Sequence, residues 1–156
     1  MAKAQRSDPA GTIDIRPATI ADLAGVTALD EGITGLVKSA YWHDMFARYG
    51  TGGGGSGCFL VAANAARIDG FIVGEVRAWE FGSPPSGWVF AVQVRAELRA
   101  RGLGARLFQA VCARFRAAGI DRVRTMVARD STVIHAFFRS QGMTAGPFIE
   151  LEMRLE

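Results

Sequence analysis

The chain has 156 residues, 49% of them hydrophobic and 21% charged, which is length for one domain with a real core and a balance that excludes large-scale disorder. No stretch approaches the roughly 20 uninterrupted apolar residues of a membrane span, and Met1 to Thr12 lacks a signal peptide's apolar core, so no membrane partner and a cytoplasmic location are expected. The formal charge of +3 comes with interspersed acids and no basic run, which argues against nucleic acid as a partner; Cys58 and Cys112 have no zinc spacing and read as two buried thiols, with no metal.

Residues 1–12 read as a disordered tail and 13–156 as a single domain. In chain order, TIDIRPAT (Thr12 to Thr19) alternates like a first strand and closes at Pro17, after which Thr19 or Asp22 caps a helix expected to run through Leu29. SAYWHDMFARYG (Ser39 to Gly50) spaces Tyr41, Met45, Phe46 and Tyr49 as a helix does and stops at glycine. TGGGGSG (Thr51 to Gly57) reads as a flexible loop, because ordering poly-glycine costs much backbone entropy. CFLVAA and GFIVGEVRAWEF are rich in strand formers, and Asp69-Gly70 just before the second of them signals a hairpin. FGSPPSG turns the chain into WVFAVQV, completing a three-strand antiparallel meander. Leu103, Leu107, Val111 and Phe115 then draw a helical stripe ended by Gly119. Arg122 to Ala128 reads as a strand, DSTVIHAFFRSQG as a helix with a Ser or Asp cap, and PFIELEMRL as a last strand. The order is mixed α/β.

LRARGLGARLF (Leu98 to Phe108) places two arginines and two glycines where a strand gives way to a helix. Such a turn leaves backbone N–H groups unpaired at the positive end of the helix dipole, which suits a phosphate. Glycines let a diphosphate approach the backbone, and Arg99, Arg101 or Arg106 can add charge-assisted contacts. Taken alone, the pattern is equally a tight turn. Neither a nucleoside-triphosphate loop nor a dinucleotide glycine motif is present.

The segment VRAELRARGLGARLFQAV, followed by a strand, a capped helix and FFRSQGM, resembles the GNAT superfamily of N-acetyltransferases, and the order of elements from Ile13 to Leu155 is similar to that family's. The resemblance implies a GNAT-like fold, a mixed but mostly antiparallel sheet flanked by helices, with strands four and five splayed apart. In that family an Arg/Gln-x-x-Gly-x-Gly/Ala turn cradles the diphosphate of acetyl-CoA, and Arg99, Gly102 and Gly104 match it. By this resemblance acetyl-CoA is the co-substrate. It would be held by Arg99, Ala100, Arg101, Gly102, Leu103, Gly104 and Ala105 at the turn, by Val92, Gln93 and Val94 on the fourth strand, and by Ser131 and Phe138 near the last helix. Tyr41, Trp42 and His43 fall where the family places an acceptor-binding helix.

Thioester aminolysis needs an amine stripped of its proton, a donor to the developing oxyanion, and relief for the leaving thiolate. Here the sequence departs from the family pattern. Phe138 stands at the position of the family's Tyr acid, and Met126 and Trp88 stand where relatives carry a Glu base. Glu80, continuing the face of Ile72, Val76 and Ala78, and His135, three residues before Phe138, are the substitute candidates. Glu75 reads as the structural partner of Arg77. The expected function is an acyl-CoA-dependent N-acyltransferase moving acetyl directly to a primary amine of a small molecule or peptide. The alternative is a CoA-binding regulatory module with impaired catalysis. A second copy could complete the sheet edge as a homodimer.

Overall fold

The computed structural model describes residues 12–50, 56–65 and 67–155. The expected tail before Thr12 and the glycine run at 51–55 lie outside the described residues. The chain splits into two compact units, Met1–Met126 and Val127–Glu156.

The first unit is built on a five-stranded sheet in the order β1-β2-β3-β4-β5. Its strands are β1 (Asp14–Pro17), β2 (Gly57–Ala63), β3 (Ile68–Arg77), β4 (Ser86–Val94) and β5 (Val123–Arg124). All neighbours run antiparallel except β4 and β5, which are parallel. Helices α1 (Leu23–Thr34), α2 (Ser39–Tyr49) and α3 (Leu103–Ala117) cover it. Period-2 alternation sends Phe59, Val61, Ala63, Phe71 and Val73 to one face, where they pack with Leu23, Val26, Leu29, Trp42 and Met45 of α1 and α2. The stripe Leu103, Leu107, Val111 and Phe115 of α3 is buried. A Cβ at Gly87 would collide with the Phe115 ring, so this glycine lets α3 lie close to the sheet.

The helix after β1 starts as expected and runs further. Thr19 and Asp22 form a capping box around a 3-10 turn, and α1 continues past Leu29 to Gly35 in the left-handed conformation. Arg16 grips Asp22 with two hydrogen bonds of 2.7 and 2.8 Å, locking β1 to that turn.

Three expectations are corrected in this unit. Asp69-Gly70 is not the hairpin turn. Both residues lie within β3, where Asp69 is the extra residue of a bulge between Ala62↔Gly70 and Ala63↔Ile68. Its buried carboxylate is held by Asn64, Arg67 and Arg95, a network that outweighs the dipeptide's turn preference. The third strand ends at Arg77 and does not reach Phe81, because Trp79 and Phe81 take φ of 66° and 53° around a 3-10 turn at Glu80–Gly82. The fifth strand, expected over Arg122 to Ala128, pairs only through Val123 and Arg124. Cys58 is buried and Cys112 only partly so; both are free thiols, and burial pushes Cys58 up to about 11.

The second unit contains α4 (Thr132–Ser140), with Gly142 at φ 87° just beyond its end. Ser131 occupies the cap position without a side-chain cap hydrogen bond. PFIELEMRL forms no strand, and Ile149, Leu151, Met153 and Leu155 are exposed.

Candidate functional site

The central feature is the free edge of β4. Its register against β3 shifts between Val73↔Ala91 and Gly74↔Val89, leaving Phe90 as a bulge residue that bends and twists the strand. On the other side β5 pairs only with Gly87 and Trp88, and the Thr125 hydroxyl donates to the Val89 carbonyl at 2.7 Å in place of the next ladder bond. Beyond that point no described strand runs beside β4 on this side. The Arg95 N–H donates to the Asp69 carbonyl on the β3 side, so alternation turns the backbone of Val94 and Val92 toward the open side. Arg99 Nε reaches the Val94 carbonyl at 3.3 Å from that side. This is the splay expected between the fourth and fifth strands.

At the end of β4 the chain passes through a 3-10 turn (Ala96–Leu98) into α3. Ala100 and Gly102 both take left-handed conformations, φ 60° and 79°. The first α-helical N–H here is that of Arg106, donating to Gly102, so the N–H groups of Leu103, Gly104 and Ala105 have no helical acceptor. No acidic residue lies in the first turn, and a Cβ at Gly102 would meet nothing within 4 Å. An approachable row of N–H donors at a positive helix end fits a diphosphate. Arg99 and Arg101 belong to this turn; Arg106 instead donates to the Ile13 carbonyl at 3.0 Å.

Gln93 does something else. Its side chain turns to the α1 face and donates through Nε2 to Asp30 at 2.8 Å, while its Oε1 is buried without a partner among the described residues. Asp30 is fully buried and also receives Trp42 Nε1 at 2.9 Å and Lys38 Nζ at 2.8 Å. Burial pushes its carboxyl up, and the bonds from Lys38, Gln93 and Trp42 more than reverse that, holding it below the usual value. Trp42 is thus a core residue tied to a carboxylate. Tyr41 and His43 are exposed on α2, where the His43 Nδ1–H donates to the Ser39 carbonyl at 2.9 Å. Sequence reasoning missed the Asp30 hub, since an acid twelve residues before Trp42 and far from Gln93 leaves no spacing signal.

Around the bulge, Glu75 sits opposite Trp88 and bonds Arg77 Nε at 2.7 Å, while burial, helped by the Glu75 charge, pushes the Tyr49 hydroxyl up. Arg77 lies over the Trp88 ring at 5.2 Å, and Tyr49 meets Phe90 edge-on at 5.0 Å. Glu80, expected on the sheet face, is instead exposed on the 3-10 turn. In the second unit the His135 Nε2–H donates to the Ala128 carbonyl at 3.1 Å. Phe138 is buried, its ring 5.0 Å from that of Phe137. Among the described residues no cluster of three potential metal ligands occurs, and no helix is long and apolar enough to cross a membrane.

Residues 28–143 match the family described as the acetyltransferase (GNAT) family. No curated protein matches the sequence. Among solved structures, a transcriptional regulator from Bacillus halodurans aligns with TM-score 0.77 at 16% identity, covering 92% of this chain and 100% of that one. The aminoglycoside 6'-N-acetyltransferase AAC(6')-Ih from Acinetobacter baumannii aligns with TM-score 0.76 at 16% identity, covering 93% and 100%. AAC(6')-Iy, in complex with the bisubstrate analog CoA-S-monomethyl-acetylneamine, aligns with TM-score 0.75 at 16% identity, again covering 93% and 100%. Likeness at these identities is a likeness of fold.

Proposed function

The chain belongs to the acetyltransferase (GNAT) family and is an N-acetyltransferase, and from that premise we propose that it transfers acetyl from acetyl-CoA directly to a primary amine of a small molecule or peptide. The observation that carries this reading is the open β4 edge at Val92 and Val94, followed in sequence by the N–H row of Leu103 to Ala105. Acetyl-CoA, when bound, supplies an activated thioester. The chain's part is to hold it: the turn N–H groups and Arg99 and Arg101 take the diphosphate, and the β4 backbone takes the pantetheine and acyl end. A β4 N–H beside the bulge donates to the oxygen on which charge develops, and the fixed strand supplies proximity.

Glu80 is kept as the carboxylate proposed to receive the amine's proton through water, on its sequence position after β3 alone, since its side chain is exposed on the 3-10 turn and off the sheet face. Glu75 is the competing candidate, already engaged by Arg77. With Phe138 at the position of the family's Tyr acid, the thiolate of CoA leaves without a full proton transfer, a thiolate being a weak enough base to be expelled unprotonated from the tetrahedral adduct. Incubating the protein with acetyl-CoA and a panel of small amines and peptides, with thiol detection, tests the reading. Amine-dependent CoA release is expected. Tight acetyl-CoA binding with no release on any amine would make the chain a binding module.

A further inference from the structure

The guanidinium of Arg77 is held as a bound cation would be. Glu75 and Trp88 face each other across β3 and β4, and Arg77 fills the angle between them, its Nε 2.7 Å from Glu75 Oε1 and its guanidinium carbon 5.2 Å from the centre of the Trp88 ring. The end of α2 brings Tyr49 onto Gly57, the residue opposite Glu75 on β2, where a Cβ would come within 2.8 Å of the Tyr49 backbone. Tyr49 in turn meets Phe90 edge-on at 5.0 Å. A carboxylate beside aromatic rings is the chemistry that recognises a guanidinium or an alkylammonium. We propose that this corner of the sheet receives the far, cationic end of the acceptor and that Arg77 is its stand-in until the acceptor arrives, so that the preferred acceptors are primary amines carrying a second cation. This inference rests on the acetyl-transfer reading and names its substrate class.

Placement on the sheet supports an acceptor role. Phe71 and Val73 of β3 face α1 and α2, and alternation carries Glu75 and Arg77 to the same face. Opposite them β4 turns Trp88 to that face, and past the bulge Ala91 packs against the same core. Phe90 lies two residues, about 7 Å of strand, before Val92, where the β4 edge opens. An amine nitrogen at that edge and a cation beside Trp88 can therefore belong to one small molecule. Arg77 is free to give way, since its side chain is 34% exposed against 19% for Glu75 and its partner sits only two places along its own strand. A ligand guanidinium repeats both of its contacts, so the exchange releases Arg77 into water without stranding the half-buried carboxylate, which is the costly alternative. Glu75 then anchors the acceptor, and proton removal stays with Glu80.

Calorimetry of the full chain with (4-aminobutyl)guanidine and with butylamine, in saturating CoA, tests this without turnover, and circular-dichroism melts confirm that each variant folds. The natural chain should bind the guanidine at least tenfold more tightly than butylamine. Arg77→Met, which removes the stand-in and keeps an apolar stem, should tighten the guanidine at least threefold further and leave butylamine within twofold. Glu75→Gln should erase the preference, and adding Arg77→Met to it should bring no gain, because the two side chains act on one ligand group. Equal binding of the two amines by the natural chain overturns the proposal. So does a guanidine affinity lowered or unmoved by Arg77→Met, the result for an arginine that only braces the sheet, and so does a gain that persists without Glu75. Replacing CoA by acetyl-CoA separates the two readings. A guanidine preference with no CoA release keeps the cation site and removes the transferase reading, whereas CoA release at equal KM for both amines keeps the transferase and removes the cation site.

Discussion

At the scale of single residues, Gly102 is the position where backbone conformation and ligand approach coincide. Its φ of 79° disfavours any side chain, and a Cβ there would enter open space with nothing within 4 Å. Gly102→Val should therefore leave the fold standing and lower acetyl-CoA affinity at least tenfold by calorimetry; an unchanged affinity in a folded variant would remove the turn from the site. Phe138→Tyr should change the rate of CoA release by less than tenfold in either direction, provided its buried hydroxyl finds a partner. If only the tyrosine variant turns over, the natural chain is a binding module. Glu80→Gln should slow a working amine by roughly 10² to 10⁴, with Glu75→Gln as the comparison. Equal turnover of parent and Glu80→Gln at every pH would make Glu80 a surface residue. Gly102 was legible in the sequence because a glycine at a strand-to-helix junction has a backbone reason to be there. The placement of Glu80 was not, because Ile72, Val76, Ala78 and Glu80 keep perfect alternation in the text while Trp79 turns the chain with a φ of 66° that its residue type does not announce.

At the scale of elements, the junction of β1 with α1 should make the protein acid-sensitive in a defined window. The hydrogen bonds from Arg16, opposed by burial and helped by those from the Thr19 N–H and hydroxyl, lower Asp22 from 3.8 to about 2. A depressed carboxyl contributes stability that is complete above its unfolded value and lost as pH falls through its folded one, here between about pH 4 and pH 2. With Arg16 partly exposed to solvent, the contribution is about 1–2 kcal/mol. Asp22→Asn should be less stable than the parent at pH 6 and should show a shallower loss of Tm from pH 4 to pH 2; parallel curves would mean the pair contributes nothing. The bulge offers a second test. Deleting Phe90 should regularise β4 and let β5 pair further along it, lowering acetyl-CoA affinity at least tenfold while the far-ultraviolet spectrum stays that of a folded protein. Helices α1, α2 and α3 were legible because 3.6-residue periodicity is a property of one segment. The short β5 and the unpaired 149–155 were not, because alternation states that a segment can be a strand and is silent on its neighbour. Asp69-Gly70 misled for a related reason: two residues cannot report the three side chains that converge on a buried carboxylate.

At the scale of the whole molecule, a ligand that binds only the folded chain must raise its melting temperature. Acetyl-CoA at a hundred times its Kd adds about 2.7 kcal/mol, which at roughly 2–4 °C per kcal/mol raises Tm by about 5–10 °C. No shift at saturating acetyl-CoA would contradict the assignment of the turn and the β4 edge together. The chain is also unusual in its own amines. It has only Lys3 and Lys38, with arginine supplying the other basic side chains, and Lys38 is the one lysine among the described residues. Its Nζ is the counter-charge of buried Asp30, which through Trp42 and Gln93 joins α1, α2 and β4. An amine-directed reagent therefore meets a nearly blank surface with one informative address. The speed at which Lys38 is labelled, followed by peptide mass spectrometry as ligands are added, becomes a footprint of whether the clasp between those helices and the strand is shut or has sprung open.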